Sequence, residues 1–137
     1  MNNFIFENST TVSFGKGCVK EFLGGKINEY GSNVMLAYGG SSIKKNGIYD
    51  EVVNILKENG KNITEFSGIM PNPTYKKVME GAALAKKNKI DLILAVGGGS
   101  VMDCCKAVCL RRHTTVTFGA TIGRKTALLI LTRFRSV

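Results

Sequence analysis

The chain has 137 residues, 44% of them apolar and only two of them proline, which suits one globular domain and not a disordered polymer. No run approaches the roughly 20 apolar residues that span a bilayer, and Met1-Asn2-Asn3-Phe4 lacks the basic and apolar regions of a secretion signal, so the reading is cytoplasmic and not membrane-bound. The net charge of +9 is uneven: up to Leu110, 13 Lys face 10 acids for +3, while five Arg and Lys125, with no acid, give the remaining +6 from Arg111 onward.

In chain order, Phe4-Ile5-Phe6 and Thr10–Phe14 are short β-prone runs around Glu7-Asn8-Ser9 and predict an opening hairpin. From Cys18 to Tyr30, apolar residues at 19, 22, 23 and 27 follow a helical stripe that Gly31 can stop. Val34–Tyr38 reads as a buried strand ending at Gly39-Gly40. A helix follows from about Gly47 to Asn59, with Ile48, Val52, Ile55 and Leu56 on one side, and a strand near Ile63–Phe66. Pro71-Asn72-Pro73 forces an extended loop, after which Thr74 can cap a helix running to about Asn88. Ile90–Val96 is the strongest strand and runs directly into Gly97-Gly98-Gly99-Ser100.

Strands that alternate with amphipathic helices imply right-handed crossovers. The expected fold is therefore an open α/β type, Rossmann-like, with a mainly parallel sheet covered on both faces. Cys18, Cys104, Cys105 and Cys109 form neither a Cys-x-x-Cys pair nor a disulfide array, and read as buried thiols. With His113 as the single histidine, no metal site is expected from this chain alone. No catalytic residue is assigned.

The sharpest feature is a buried strand, a triple-glycine turn and a helix start over Leu92–Asp103. Glycines without Cβ atoms let a phosphate approach the backbone, and the amides and dipole of a helix N-terminus favour its charge. A pyrophosphate is the natural ligand. Met102 stands where the usual G-x-G-x-x-G fingerprint has its third glycine, and a tight turn is the plainer reading of the same letters.

Gly97–Asp103, Pro71-Asn72-Pro73-Thr74 before it, and Phe14-Gly15-Lys16-Gly17 near the start together resemble the iron-containing alcohol dehydrogenase family, notably its NADPH-dependent butanol dehydrogenases. The resemblance covers residues 1 to about 110. It implies that Gly97, Gly98, Gly99, Ser100 and Val101 bind the dinucleotide pyrophosphate and that Asn72 and Thr74 lie near the nucleotide. Asp103 matches an acidic residue near the nicotinamide side, although a solvated acid at a helix start reads equally well. Gly39, Gly40 and Ser41 replace the acid that NAD-preferring relatives place at the ribose 2′-hydroxyl. This favours NADP(H) over NAD(H), with Lys44 or Lys45 to neutralise a 2′-phosphate. It further implies an alcohol or aldehyde as small-molecule substrate, homo-oligomeric intact relatives, and iron or another divalent metal held by a following helical domain that these 137 residues do not include.

After Leu110 the composition breaks. Codons can be chosen such that restoring one base after Leu110 opens a neighbouring frame with an acidic, aromatic-rich, family-like continuation. Residues 1–110 are therefore read as an incomplete dinucleotide-binding domain and residues 111–137 as a frameshifted tail, in which Ala127–Leu131 need not form the strand its pattern suggests. Two other readings stand beside an enzyme fragment without turnover. One is a nucleic-acid binder using Arg111, Arg112, Arg124, Lys125, Arg133 and Arg135, disfavoured because no aromatic platform accompanies the charge. The other is a noncatalytic nucleotide-binding module.

Overall fold

The computed structural model describes Ser13, residues 15–113 and residues 127–131, of which 112, 113 and 127–131 are described by backbone alone. The expected hairpin, apart from Ser13, lies outside the described residues. In chain order the elements are α1 (Cys18–Asn28), β1 (Asn33–Tyr38), α2 (Ser42–Lys45), α3 (Ile48–Glu58), β2 (Asn62–Phe66), α4 (Tyr75–Lys87), β3 (Leu92–Val96), α5 (Gly99–His113) and β4 (Ala127–Leu131). The strands form a single parallel sheet in the order β2-β1-β3-β4.

The central strands are apolar at nearly every position because both of their faces are covered. Side chains alternate across them. Val34, Leu36, Tyr38, Leu92, Leu94 and Val96 pack with Leu23 and Ile27 of α1, Ile43 of α2, and Val52 and Leu56 of α3. Met35, Ala37, Ile93 and Ala95 face the other way, toward Ala85 of α4 and Val101, Cys104, Cys105 and Val108 of α5. Helices α4 and α5 approach closely at Gly81, where an added Cβ would fall 2.7 Å from Val108 Cγ2 and 2.8 Å from Phe66 Cζ. Phe66 closes that face of the sheet with 1% of its surface exposed, a burial that contributes about 1.5–3 kcal/mol.

Local chemistry sets the helix limits. Thr74 Oγ1 accepts from the Lys77 amide at 3.2 Å, the expected cap of α4. In α3, Asp50 and Glu51 occupy the first turn and Lys57 the last, each suited to the helix dipole. Helix α1 ends at Asn28, before the expected Tyr30, and Phe22 of its apolar stripe is exposed. The segment after Gly40, for which the sequence predicts no element, includes the short helix α2, whose Ile43 is buried.

The discounted strand is a further difference. Ala127–Leu131 forms β4 and pairs in parallel with Leu92–Val96. An open strand edge presents unpaired amides and carbonyls to any extended apolar segment, and Ala-Leu-Leu-Ile-Leu is one. Helix α5 also passes through the compositional break at Arg111. Among the described residues, no helix is long and apolar enough to cross a membrane.

Candidate functional site

The strand order fixes where a ligand can meet the sheet. From β1 the chain moves outward to β2, then crosses back to β3 on the other side of β1. In open parallel sheets, that reversal opens a site beyond the carboxyl ends of the two central strands. Tyr38 pairs with Val96 as the last residues of β1 and β3, so Gly39 and Gly97 follow at this switch point.

At the β3 turn, the amides of Val101 and Met102 both donate to the Gly98 carbonyl, each at 3.1 Å. The amides of Gly99 and Ser100 precede these first bonds and have no carbonyl ahead of them within the helix. A Cβ built on Gly98 or Gly99 would meet no atom within 4 Å. On Gly97 it would fall 2.7 Å from Val101 Cγ2. The turn is thus closed on its inner side by Val101 and open on its outer side, over bare amides at a helix N-terminus. Such a surface fits a pyrophosphate.

Val101 links this turn to the one after β1. A Cβ on Gly39 would stand 3.7 Å from Val101 Cγ2 and 3.1 Å from the Ile69 carbonyl oxygen. The Gly39 carbonyl also accepts from the Gly68 amide at 2.9 Å, tying down the segment after β2. Gly39, Gly97 and Val101 therefore come together, with Gly40 and Ser41 exposed beside them. Asn72 and Thr74 are exposed too, and join the site through Ile69 on the same loop. Asn72 has φ 51°, a left-handed conformation that asparagine tolerates. The hydroxyl of Thr74 caps α4. Asp103 is exposed, with its carboxylate 3.9 Å from Lys106 Nζ one helical turn on.

Sequence reasoning missed a polar cluster beside the β1 turn. Tyr38 Oη donates to Glu65 Oε2 at 2.6 Å, and Tyr49 Oη donates to Glu65 Oε1. Lys44 Nζ stands 5.6 Å from the Tyr38 ring centroid and 4.6 Å from that of Tyr49. Burial, then the bond to Glu65, pushes the Tyr38 hydroxyl up to about 12. The bond to Glu65 also raises Tyr49, and the two tyrosine hydroxyls hold the Glu65 carboxyl below its ordinary value. The available signal was an acid and a tyrosine near the ends of adjacent strands. It shows only once the strands are paired.

Two of the four cysteines expected to be buried are so, whereas Cys18 at the start of α1 and Cys109 on α5 are half-buried. Cys104 and Cys105 are buried, and burial raises both, Cys105 to about 12, which keeps them protonated and unreactive at neutral pH. Among the described residues, no three His, Cys, Asp or Glu side chains gather to hold a metal.

The profile of the iron-containing alcohol dehydrogenase family matches residues 9–131. The probable NADH-dependent butanol dehydrogenase 2 of Bacillus subtilis is 50% identical over 108 residues, 79% of this chain and 27% of that protein. The NADPH-dependent aldehyde reductase YqhD of Escherichia coli is 42% identical over 108 residues, again 79% of this chain and 27% of the relative. The crystal structure of NADH-dependent butanol dehydrogenase A from Thermotoga maritima superposes with a TM-score of 0.75 at 44% identity, covering 85% of this chain and 29% of that one. The chain thus spans less than a third of these relatives' length.

Proposed function

Because the chain belongs to the iron-containing alcohol dehydrogenase family, we propose that its glycine turns bind a nicotinamide dinucleotide in a protein that interconverts short-chain alcohols and aldehydes. The observation that carries this reading is the open space over Gly98 and Gly99 at the start of α5. There the pyrophosphate accepts from the amides of Gly99 and Ser100, in the field of the helix N-terminus. Val101 closes the inner side of the turn, and Gly40 and Ser41 border the adenosine end. Asn72, Thr74 and Asp103 belong to the surrounding rim.

A bound reduced nicotinamide supplies hydride to a carbonyl carbon. The described residues gather no donor set that fits a metal ion, so no metal step is assigned to them. Taken by themselves, these 137 residues bind nucleotide without turnover. Oxidation of NADPH by butanal in the presence of iron tests this, and steady turnover by the purified chain contradicts it.

NADP(H) is the favoured cofactor because Gly39-Gly40-Ser41 puts no carboxylate directly after β1 and Lys44 stands nearby. The NADH-dependent relatives make NAD(H) the comparison to run. Fluorescence titration of the purified chain with NADPH and NADH checks both statements, and absence of binding by either ends the reading. The compositional break at Arg111 supports the separate proposal that residues 111–137 are out-of-frame translation. Reading the DNA around codon 110 decides it, since a neighbouring frame without a family-like continuation rules it out.

A further inference from the structure

A single carboxylate organises the edge of the sheet beside the β1 turn. Glu65 pairs with Leu36 in the β1–β2 register, and its two oxygens receive one tyrosine hydroxyl each. The two donors come from different places, since Tyr38 immediately precedes Gly39 while Tyr49 lies in the first turn of α3. Their rings meet edge to face, with centroids 5.8 Å apart and planes at 71°. Lys44, on the short helix α2, lies within cation–π distance of both rings.

Among the described residues, no carboxylate forms an ion pair with Lys44. This matters chemically. A lysine paired directly with an acid must be released before it binds a phosphate, whereas one held by ring faces and a nearby anion keeps its N–H donors for the ligand. The donated hydroxyls hold Glu65 ionised, so its charge and both rings draw the ammonium to the same place. Lys44 follows Ser41 by three residues, and a Cβ on Gly40 would meet nothing within 4 Å, which leaves room for a ribose phosphate.

We infer that Glu65 is a positioning residue for cofactor selection: through Tyr38 and Tyr49 it holds Lys44 beside the Gly39–Ser41 turn, where the ammonium meets the 2′-phosphate of NADP(H). The inference rests on the reading that the dinucleotide binds across the two glycine turns. Glu65 touches no part of the cofactor and acts through Lys44.

The test is a double-mutant cycle on the 137-residue chain, with NADPH and NADH titrated separately. Lys44→Met lowers NADPH affinity roughly tenfold and leaves NADH within about twofold, the loss expected for one charge-assisted hydrogen bond. Glu65→Gln shifts the NADPH-to-NADH ratio in the same direction by a few-fold, and the double variant is no worse than Lys44→Met, as for two residues acting in series. Tyr49→Phe, which keeps the ring and removes the hydroxyl, repeats the Glu65→Gln effect in a fold with little reason to change. Equal losses for both nucleotides would reduce Glu65 to a structural role and overturn the inference. So would tighter NADPH binding by Glu65→Gln, which would make the carboxylate simply repulsive. If the parent chain binds neither nucleotide, the underlying reading fails. If it binds both and the ratio never moves, only the Glu65 inference fails.

Discussion

The turns after β1 and β3 both put glycines at the end of a buried strand, yet the atoms around them differ. At Gly39 an added Cβ meets a backbone carbonyl, that of Ile69, which cannot rotate away. At Gly98 and Gly99 it meets nothing. The first turn uses glycine to let the loop after β2 pack against the strand end, and the second uses it to leave a helix N-terminus bare. Identical letters thus serve packing in one place and leave open space at a helix N-terminus in the other, and the neighbours decide which. Gly97 combines the two roles, with its inner side filled by Val101 and its peptide leading into the open turn.

This contrast can be broken by substitution. Gly97→Ala should cost the most, about 1–3 kcal/mol by denaturant unfolding, because the new methyl lies 2.7 Å from Val101 Cγ2 and the turn or the Val101 side chain must shift. Gly39→Ala should cost about 1 kcal/mol, since the 3.1 Å approach to the Ile69 carbonyl asks that loop to give by a few tenths of an ångström. Tyr38→Phe should cost about 1 kcal/mol, the net worth of a hydrogen bond, and should alter the alkaline limb of stability. The Tyr38 hydroxyl is raised to about 12 in the fold. Its contribution is therefore fully present below the ordinary tyrosine value near 10 and is lost as pH rises through the folded value. Glu65 has the opposite sign, since a depressed carboxyl contributes above its ordinary value and loses that contribution in acid. Unfolding followed between neutral and strongly alkaline pH checks the first limb, and a Tyr38→Phe curve parallel to the parent's would refute it. Gly40→Ala should be the mildest, within about 0.5 kcal/mol, because its side chain enters open space.

Much of this was legible in the sequence. The Leu92–Val96 strand, its glycine turn and the following helix were readable because a fully apolar run ending in three glycines admits few structures. Thr74 announced its cap through the proline-bounded loop before it, and the period of α3 placed Val52 and Leu56 in the core. The short helix α2 was not legible, since four residues carry no period and Ile43 is its one buried anchor. The Glu65 cluster was also hidden. Its hydrogen bonds span 27 and 16 residues, and such partners appear only when β1 and β2 are set side by side. The strand Ala127–Leu131 is legible as an apolar pattern, although the composition around it points the other way. The open edge of β3 accepts that pattern whatever its origin.

The most direct test of the central claim is the paired variant Gly98→Ala with Gly99→Ala, followed by both unfolding and NADPH titration. The account predicts stability within about 1 kcal/mol of the parent and NADPH affinity at least about tenfold weaker, because the methyls occupy the volume of the pyrophosphate and nothing else. Unchanged affinity in a folded variant would contradict it, for the dinucleotide would then not rest on those amides.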